Sequence, residues 1–299
     1  MTAMHVVIGG ASGFLGGALT EHLRSKGHQV TRLVRAGEPA DDASLWDPHT
    51  GRIDSIVVDR ADAVINLSGS PISKWPRTAA RKREILRSRL SATTTLANAV
   101  AASTTPTVFI SGSGMSWYGT DRGDEILDES SSPGDGFLAD VSQQWEAAAM
   151  PAVEAGARTC FVRTSLVLDD DGGMLKLMLP AWKLGGGAKL GKGTQYMSLI
   201  SRHDWVRGIE LLLDNPEING PFNFSMPQAV TNAEFTDALG DAVHRPTFLA
   251  APRFAVKGVL GGLSDDLLGS LRLSPTALLD AGFTFGEPDL ASALEAALR

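Results

Sequence analysis

Cysteine occurs once in the 299 residues, as Cys160, so neither an intramolecular disulfide nor a multi-cysteine metal cluster can form. Its setting, Arg158-Thr159-Cys160-Phe161-Val162, reads as a strand and predicts a buried structural thiol. No stretch approaches the roughly 18 consecutive apolar residues of a membrane span. The N-terminus runs straight into a strand-like segment without the pattern of a signal peptide. Together these absences predict a soluble, cytoplasmic protein. Basic charge is in deficit: 27 Lys and Arg stand against 34 Asp and Glu, a net charge of -7. That balance argues against a nucleic-acid partner and against an anionic membrane surface. The acids Asp121, Asp124, Glu125, Asp128 and Glu129 crowd a turn-rich stretch without ligand spacing, so no metal site is expected. Tyrosine is almost as scarce as cysteine, with Tyr118 and Tyr196 alone.

What is present is an ordinary globular composition, 43% hydrophobic and 20% charged, enough for a sizeable core. Val6-Val7-Ile8-Gly9-Gly10-Ala11-Ser12-Gly13-Phe14-Leu15-Gly16 reads as strand, tight turn and helix. In the spacing Gly10-x-x-Gly13-x-x-Gly16, the first glycine takes the turn's unusual angles and the second lets a pyrophosphate reach the main chain. The third packs helix on strand. Ser12, Gly13, Phe14 and Leu15 would then surround phosphates at a helix N-terminus, where unpaired N–H groups favour anions. The next strand, Gln29 to Val34, ends about 20 residues after the glycines, where an acid would bind the ribose of NAD. The chain offers Arg32 and Arg35 instead, a pair suited to the phosphate of NADP. Arg35 is the better placed, and Arg32 can equally face solvent.

Ile53 to Val58 and Ala63 to Leu67 read as two further strands, the second ending in Asn66-Leu67-Ser68-Gly69, where backbone can pass close to a cofactor. Trp75 to Ala102 reads as a long helix, basic at its start from Lys74. Thr107 to Ser113 is another strand, whose end places Ser111 and Ser113 where an open parallel sheet binds its ligands. A helix over Phe137 to Ala155 follows. This alternation specifies an α/β fold, a doubly wound parallel (Rossmann) sheet with a smaller, mixed C-terminal substrate region. Residues 1–245 are expected to form the nucleotide-binding domain, with substrate-region segments at about 169–202 and 221–245. Residues 246–299 are expected to form a small helical domain. Asp204 reads as the N-cap of a helix from Trp205, and Thr231 with Glu234 as a capping box. Among the histidines, His203 is the one expected to see a substrate pocket.

Gly10-x-x-Gly13-x-x-Gly16, Ser113 and Arg163-Thr164-Ser165-Leu166-Val167-Leu168 resemble the extended short-chain dehydrogenase/reductases, the class that includes nucleotide-sugar epimerases. Several further motifs are similar to an atypical, uncharacterised "epimerase family" branch with a short C-terminal domain. They are Asn66-Leu67-Ser68-Gly69, Ser88-Arg89-Leu90-Ser91-Ala92-Thr93, Phe137-Leu138-Ala139 with Trp145-Glu146, Gly185-Gly186-Gly187 and Pro227-x-x-Val230-Thr231-Asn232-x-Glu234-Phe235. The resemblance also marks a departure. Extended members of the class carry Tyr-x-x-x-Lys as the proton-transfer pair, and no such sequence occurs here; Leu138 and Ser142 stand at the matching positions, the latter where the atypical branch often has cysteine. Arg89 matches the family's asparagine and joins the expected cofactor-binding residues, although an arginine there also suits a substrate carboxylate or phosphate.

An alkoxide formed by hydride transfer needs a proton, and an unassisted phenol with a pKa near 10 is a poor donor at neutral pH. Ser113 is expected to donate a hydrogen bond to the substrate carbonyl. Tyr118 is read either as a replacement acid or as a packing residue. The expectation is therefore an NADP(H)-binding oxidoreductase or epimerase acting on a small oxygenated molecule. The alternative is a non-catalytic NADP(H) sensor or scaffold. Oligomeric state stays open, a homodimer included.

Overall fold

The computed structural model describes residues 3–37, 40–72, 76–105, 107–260 and 264–299. Eight strands build the main sheet: β1 (His5–Gly9), β2 (Gln29–Val34), β3 (Ala43–Asp47), β4 (Arg52–Ile53), β5 (Ala63–Asn66), β6 (Val108–Gly114), β7 (Thr159–Thr164) and β8 (Gly220–Phe224). Their order is β8-β7-β6-β5-β1-β2-β3-β4. β1 pairs in parallel with β2 and β5, β2 with β3 and β5 with β6, while β4 returns antiparallel to β3. β2 and β5 flank β1, so the winding direction reverses at β1, and the crevice for a ligand opens at the C-terminal ends of β1 and β5. The doubly wound parallel architecture expected from the sequence is the one observed.

The chain divides into two compact units. The first comprises residues 1–113, 140–162 and 206–221. Its core includes Val7, Val64, Leu96 and Phe109, all fully buried. Each such side chain contributes about 1.5–3 kcal/mol by leaving water. The second unit comprises residues 114–139, 163–205 and 222–299. It packs Leu168, Leu199, Phe235 and Leu294 into a core of its own. Residues 246–299, expected as a separate helical domain, thus belong to a unit that also contains the earlier substrate-region segments.

Helix α1 (Phe14–Ser25) follows the glycine turn. Ile53 to Val58 is not a strand: β4 stops at Ile53 and α2 (Ser55–Asp59) begins, because the Asp54 carboxylate caps the helix by accepting from Ile56 N–H at 3.0 Å. Helix α3 (Ala79–Ala102) starts after the cap Thr78, and Lys74 and Trp75 lie outside the described residues. The helix expected over Phe137 to Ala155 is two, α4 (Phe137–Ala147) and α5 (Met150–Glu154), with Pro151 at the start of the second. The second unit contributes α6 (Gly173–Lys183), α7 (Arg202–Asp214, which runs on into the first unit), α8 (Asn232–Ala242) and α9 (Arg253–Leu260). The capping box of Thr231 and Glu234 is present at α8. Among the described residues no helix is long and apolar enough to cross a membrane.

Candidate functional site

The turn after β1 is shaped by contacts that only glycine allows. Gly10 has φ +85°, and a Cβ there would meet the Leu67 carbonyl carbon at 2.7 Å and Ser68 N at 2.9 Å. A Cβ on Gly16 would lie 2.2 Å from Gly10 O, so the first turn of α1 rests directly on the loop. Gly13 differs from both. It is exposed, and a Cβ there meets only Gly10 O, at 3.2 Å. Open space therefore faces the main chain at the helix start. α1 has no side-chain cap and no acid in its first turn. Such a terminus suits an anion, through its N–H groups and the helix dipole. Ser12 is exposed beside Gly13, and Phe14 and Leu15 are half-buried.

The end of β5 closes over this turn. Leu67 N–H donates to Gly9 O at 2.8 Å. Asn66 is fully buried; its Oδ1 accepts from Ser68 N–H at 3.1 Å, and its Nδ2 donates to Thr93 Oγ1 at 2.8 Å. The asparagine thus sets the loop's path and ties it to α3. Ser68 Oγ is a buried hydroxyl with no hydrogen-bond partner among the described residues.

Arg89 projects from α3 onto the same segment. Its Nη1 donates to Ser70 O at 3.0 Å and to Ile85 O at 3.1 Å. The guanidinium lies 4.8 Å from the Trp145 ring centre. A Cβ on Gly69 would come within 3.0 Å of its Cζ. Among the described residues no acid pairs with it. Burial, aided by repulsion from Arg81, lowers its pKa to about 10, which leaves it cationic at neutral pH. Trp145 in turn wedges against β6, where a Cβ on Gly112 would meet its Cζ2 at 2.9 Å.

Ser111 is fully buried, and its hydroxyl donates locally to Gly112 O at 3.3 Å. Ser113, also buried, donates to Glu146 Oε1 at 2.7 Å. That bond corrects the expectation for Ser113. A hydroxyl has one proton, and with it directed at Glu146 the oxygen offers a ligand its lone pairs, not a donor.

Tyr118 requires the larger correction. It is fully buried in the second unit, and its hydroxyl faces Asp128 O at 2.9 Å and Asn223 Oδ1 at 2.8 Å. Arg163 Nη1 donates to that hydroxyl at 2.9 Å. The Arg163 guanidinium also stacks 3.6 Å from the Trp117 ring centre. Burial pushes the phenol up to about 12, although Arg163 pulls the other way. Of the two readings of Tyr118, this burial favours packing over a replacement acid, and the phenol braces the second unit. Glu129 joins the same brace by accepting from Asn223 N–H at 2.8 Å and Ala277 N–H at 3.2 Å, and its burial raises its pKa.

At the end of β2 the two arginines separate. Arg32 is held by Asp42, with Nη2 to Oδ1 at 2.7 Å, and Arg24 also pairs with Asp42. Those arginines hold the Asp42 carboxyl at about 2. Arg35 lies exposed in the bend just past the strand and makes no side-chain hydrogen bond or ion pair among the described residues. Asp204 does not cap its helix as expected. α7 begins at Arg202, Ser201 Oγ accepts from Asp204 N–H at 3.0 Å, and the Asp204 carboxylate accepts from Gly286 and Glu287 N–H, both at 2.8 Å. His203 is exposed and pairs with Glu287 at 3.1 Å. Sequence reasoning gave Glu146 no role; its bond to Ser113 spans 33 residues, and no local pattern announces it.

Known proteins resemble this chain over nearly its whole length. The model of the NAD dependent epimerase/dehydratase family matches residues 6–224, and a domain of unknown function (DUF1731) matches residues 251–297. An epimerase family protein of Mycobacterium bovis is 41% identical over 290 residues, covering 97% of this chain and 96% of that one. The crystal structure of human epimerase family protein SDR39U1 (isoform 2) with NADPH superimposes with a TM-score of 0.89 at 30% identity, covering 98% and 99% of the two chains. A nucleoside-diphosphate sugar epimerase structure from Corynebacterium glutamicum gives a TM-score of 0.83 at 36% identity; this chain spans 58% of that one. The resemblance read from the motifs is thereby established: the chain belongs to the NAD dependent epimerase/dehydratase family.

Proposed function

We propose that the chain binds NADP(H) and acts as an oxidoreductase or epimerase on a small molecule bearing a secondary alcohol or the matching ketone. The observation that carries this reading is the uncapped start of α1, walled by glycines at the reversal point of the sheet. Gly10, Ser12, Gly13, Phe14, Leu15 and Gly16 would hold the pyrophosphate. Asn66, Leu67, Ser68, Gly69 and Ser111 would line the cofactor's path, and Arg89 would neutralise a phosphate. Arg35, exposed beyond β2 and without an ion pair among the described residues, suits the 2′-phosphate, whereas Arg32 is already engaged by Asp42. The relative solved with NADPH supports the same choice.

When bound, the nicotinamide accepts or returns a hydride. The protein's own residues handle the proton. A substrate hydroxyl donates to Ser113 Oγ, and as its proton passes to Ser113, the proton Ser113 already directs at Glu146 moves to the carboxylate. One proton leaves the substrate and one arrives on Glu146; the reverse sequence protonates an alkoxide. This relay takes the place of Tyr-x-x-x-Lys, whose positions hold Leu138 and Ser142. The test is a screen of alcohols with NADP+ and of carbonyl compounds with NADPH, read by absorbance, alongside direct titration of both cofactors.

The second reading, an NADP(H) sensor or scaffold without turnover, is favoured by the burial of Tyr118. It is distinguished by cofactor binding that alters conformation while no metabolite changes the cofactor's redox state.

A further inference from the structure

The net charge of -7 averages over a chain whose charges are unevenly placed. Residues 172–201 and 242–264 contain seven Lys or Arg and not one of the 34 acids. The fold joins residues 183–191 to residues 245–251 within the second unit. Ala188–Leu190 pairs in parallel with Leu249–Ala251, Gly191 N–H donates to Ala251 O at 2.8 Å, and Arg245 Nε donates to Lys183 O at 2.9 Å.

The same two stretches carry the most exposed large apolar side chains of the described residues: Leu184 at 88%, Phe248 at 81%, Phe254 at 79% and Leu177 at 69%. Leu177 and Leu184 lie two turns apart on one face of α6 and its cap, and Leu249 adds to the patch. Three of the projecting side chains have a cation close in sequence: Lys183 before Leu184, Arg253 before Phe254, Arg245 three residues before Phe248. All three cations are exposed. Four such side chains on two stretches that the β pairing joins are a basis for an interaction surface.

We propose that this face docks on an anionic lipid surface, with Leu184, Phe248 and Phe254 entering the headgroup boundary and the adjacent cations meeting lipid phosphates and carboxylates. Charge complementarity argues for an anionic occupant, and the form of the patch argues for lipid. Single apolar side chains projecting beside lysines and arginines suit a fluid interface that needs no interlocking shape. The short helix α9, Arg-Phe-Ala-Val-Lys-Gly-Val-Leu, has the matching composition. The docking would run against the sequence expectation of no membrane contact, which rested on total charge. It does not depend on the cofactor reading.

The experiment is co-sedimentation of the full-length protein with vesicles of phosphatidylcholine alone and with a third phosphatidylserine. Binding is expected to the mixed vesicles only, and to weaken in high salt. Reversing Lys183 and Arg253 to Glu should lower it roughly 25-fold or more, since each cation near an anionic surface contributes roughly fivefold. Phe248→Ser with Phe254→Ser should lower it at least as much, with circular dichroism and NADPH titration reporting an intact fold. No binding to the mixed vesicles, or binding indifferent to all four substitutions, overturns the proposal. So does a dimer in solution that the Phe substitutions dissolve, which would assign the face to a second copy of the chain.

Discussion

Tyr118→Phe removes a single oxygen from the fully buried brace of the second unit and leaves the ring in place. The ring's packing against Trp117, Leu127, Leu271 and Leu273 is unchanged, so the apolar contribution cancels. Three partners lose the hydroxyl, with unequal effect. Asp128 O still accepts from Ser131 N–H at 3.2 Å, and Arg163 Nη1 keeps a longer bond to Glu129 O at 3.5 Å. Asn223 Oδ1 loses its hydroxyl donor in a site with no solvent exposure. One orphaned acceptor and one weakened charged donor together cost about 2–4 kcal/mol. At roughly 2–4 °C per kcal/mol for a cooperative unit of this size, that corresponds to a fall in Tm of about 4–16 °C.

The pH dependence adds a check on the mechanism. The unfolded phenol ionises near pH 10 and the folded one at about 12. Between these values the unfolded state binds fewer protons, so wild-type stability falls as pH rises. The variant lacks this contribution, and the stability gap should narrow across that window. Thermal and urea unfolding by circular dichroism measure both effects, with NADPH affinity expected to stay within threefold. A variant of unchanged stability that had lost turnover would refute the reasoning and restore the phenol as a proton donor.

Gly13→Val should abolish NADPH binding with the fold retained, because the added Cβ meets only Gly10 O at 3.2 Å and fills the anion's approach; fluorescence titration with circular dichroism checks it. Gly16→Ala should instead lose stability and binding together, since its Cβ would lie 2.2 Å from Gly10 O, and thermal melts separate the two cases. Ser113→Ala should reduce any turnover by about 100-fold or more at unchanged NADPH affinity. Glu146→Gln should do the same, measured on whichever substrate the screen returns. Arg89→Met should weaken NADPH roughly tenfold by removing one charge-assisted contact, read by calorimetry.

The elements that the sequence announces are those whose signal is local. The apolar run of β1, the glycine spacing and the Thr231–Glu234 capping box each sit within a dozen residues of their consequence. Ile53 to Val58 misled because a short, β-branched apolar run is ambiguous, and the Asp54 cap decided it for helix. Asp204 has the composition of a cap, yet its carboxylate is engaged by Gly286 and Glu287, 82 and 83 residues away. The Ser113–Glu146 bond and the burial of Tyr118 likewise depend on contacts distant in sequence. The separation of Arg35 from Arg32 depends on Asp42, whose pairing in β2–β3 register no motif encodes.

The central claim, that this crevice is built for NADP(H), is tested most directly by titrating NADPH and NADH against the wild type, Arg32→Ala and Arg35→Asp. The account predicts that wild type prefers NADPH by roughly 1.5–3 kcal/mol, the worth of a charge-assisted contact to the 2′-phosphate. Arg32→Ala should keep that preference because Asp42 already occupies Arg32, and Arg35→Asp should erase it. Equal affinities in the wild type, or an undiminished preference in Arg35→Asp, would contradict it.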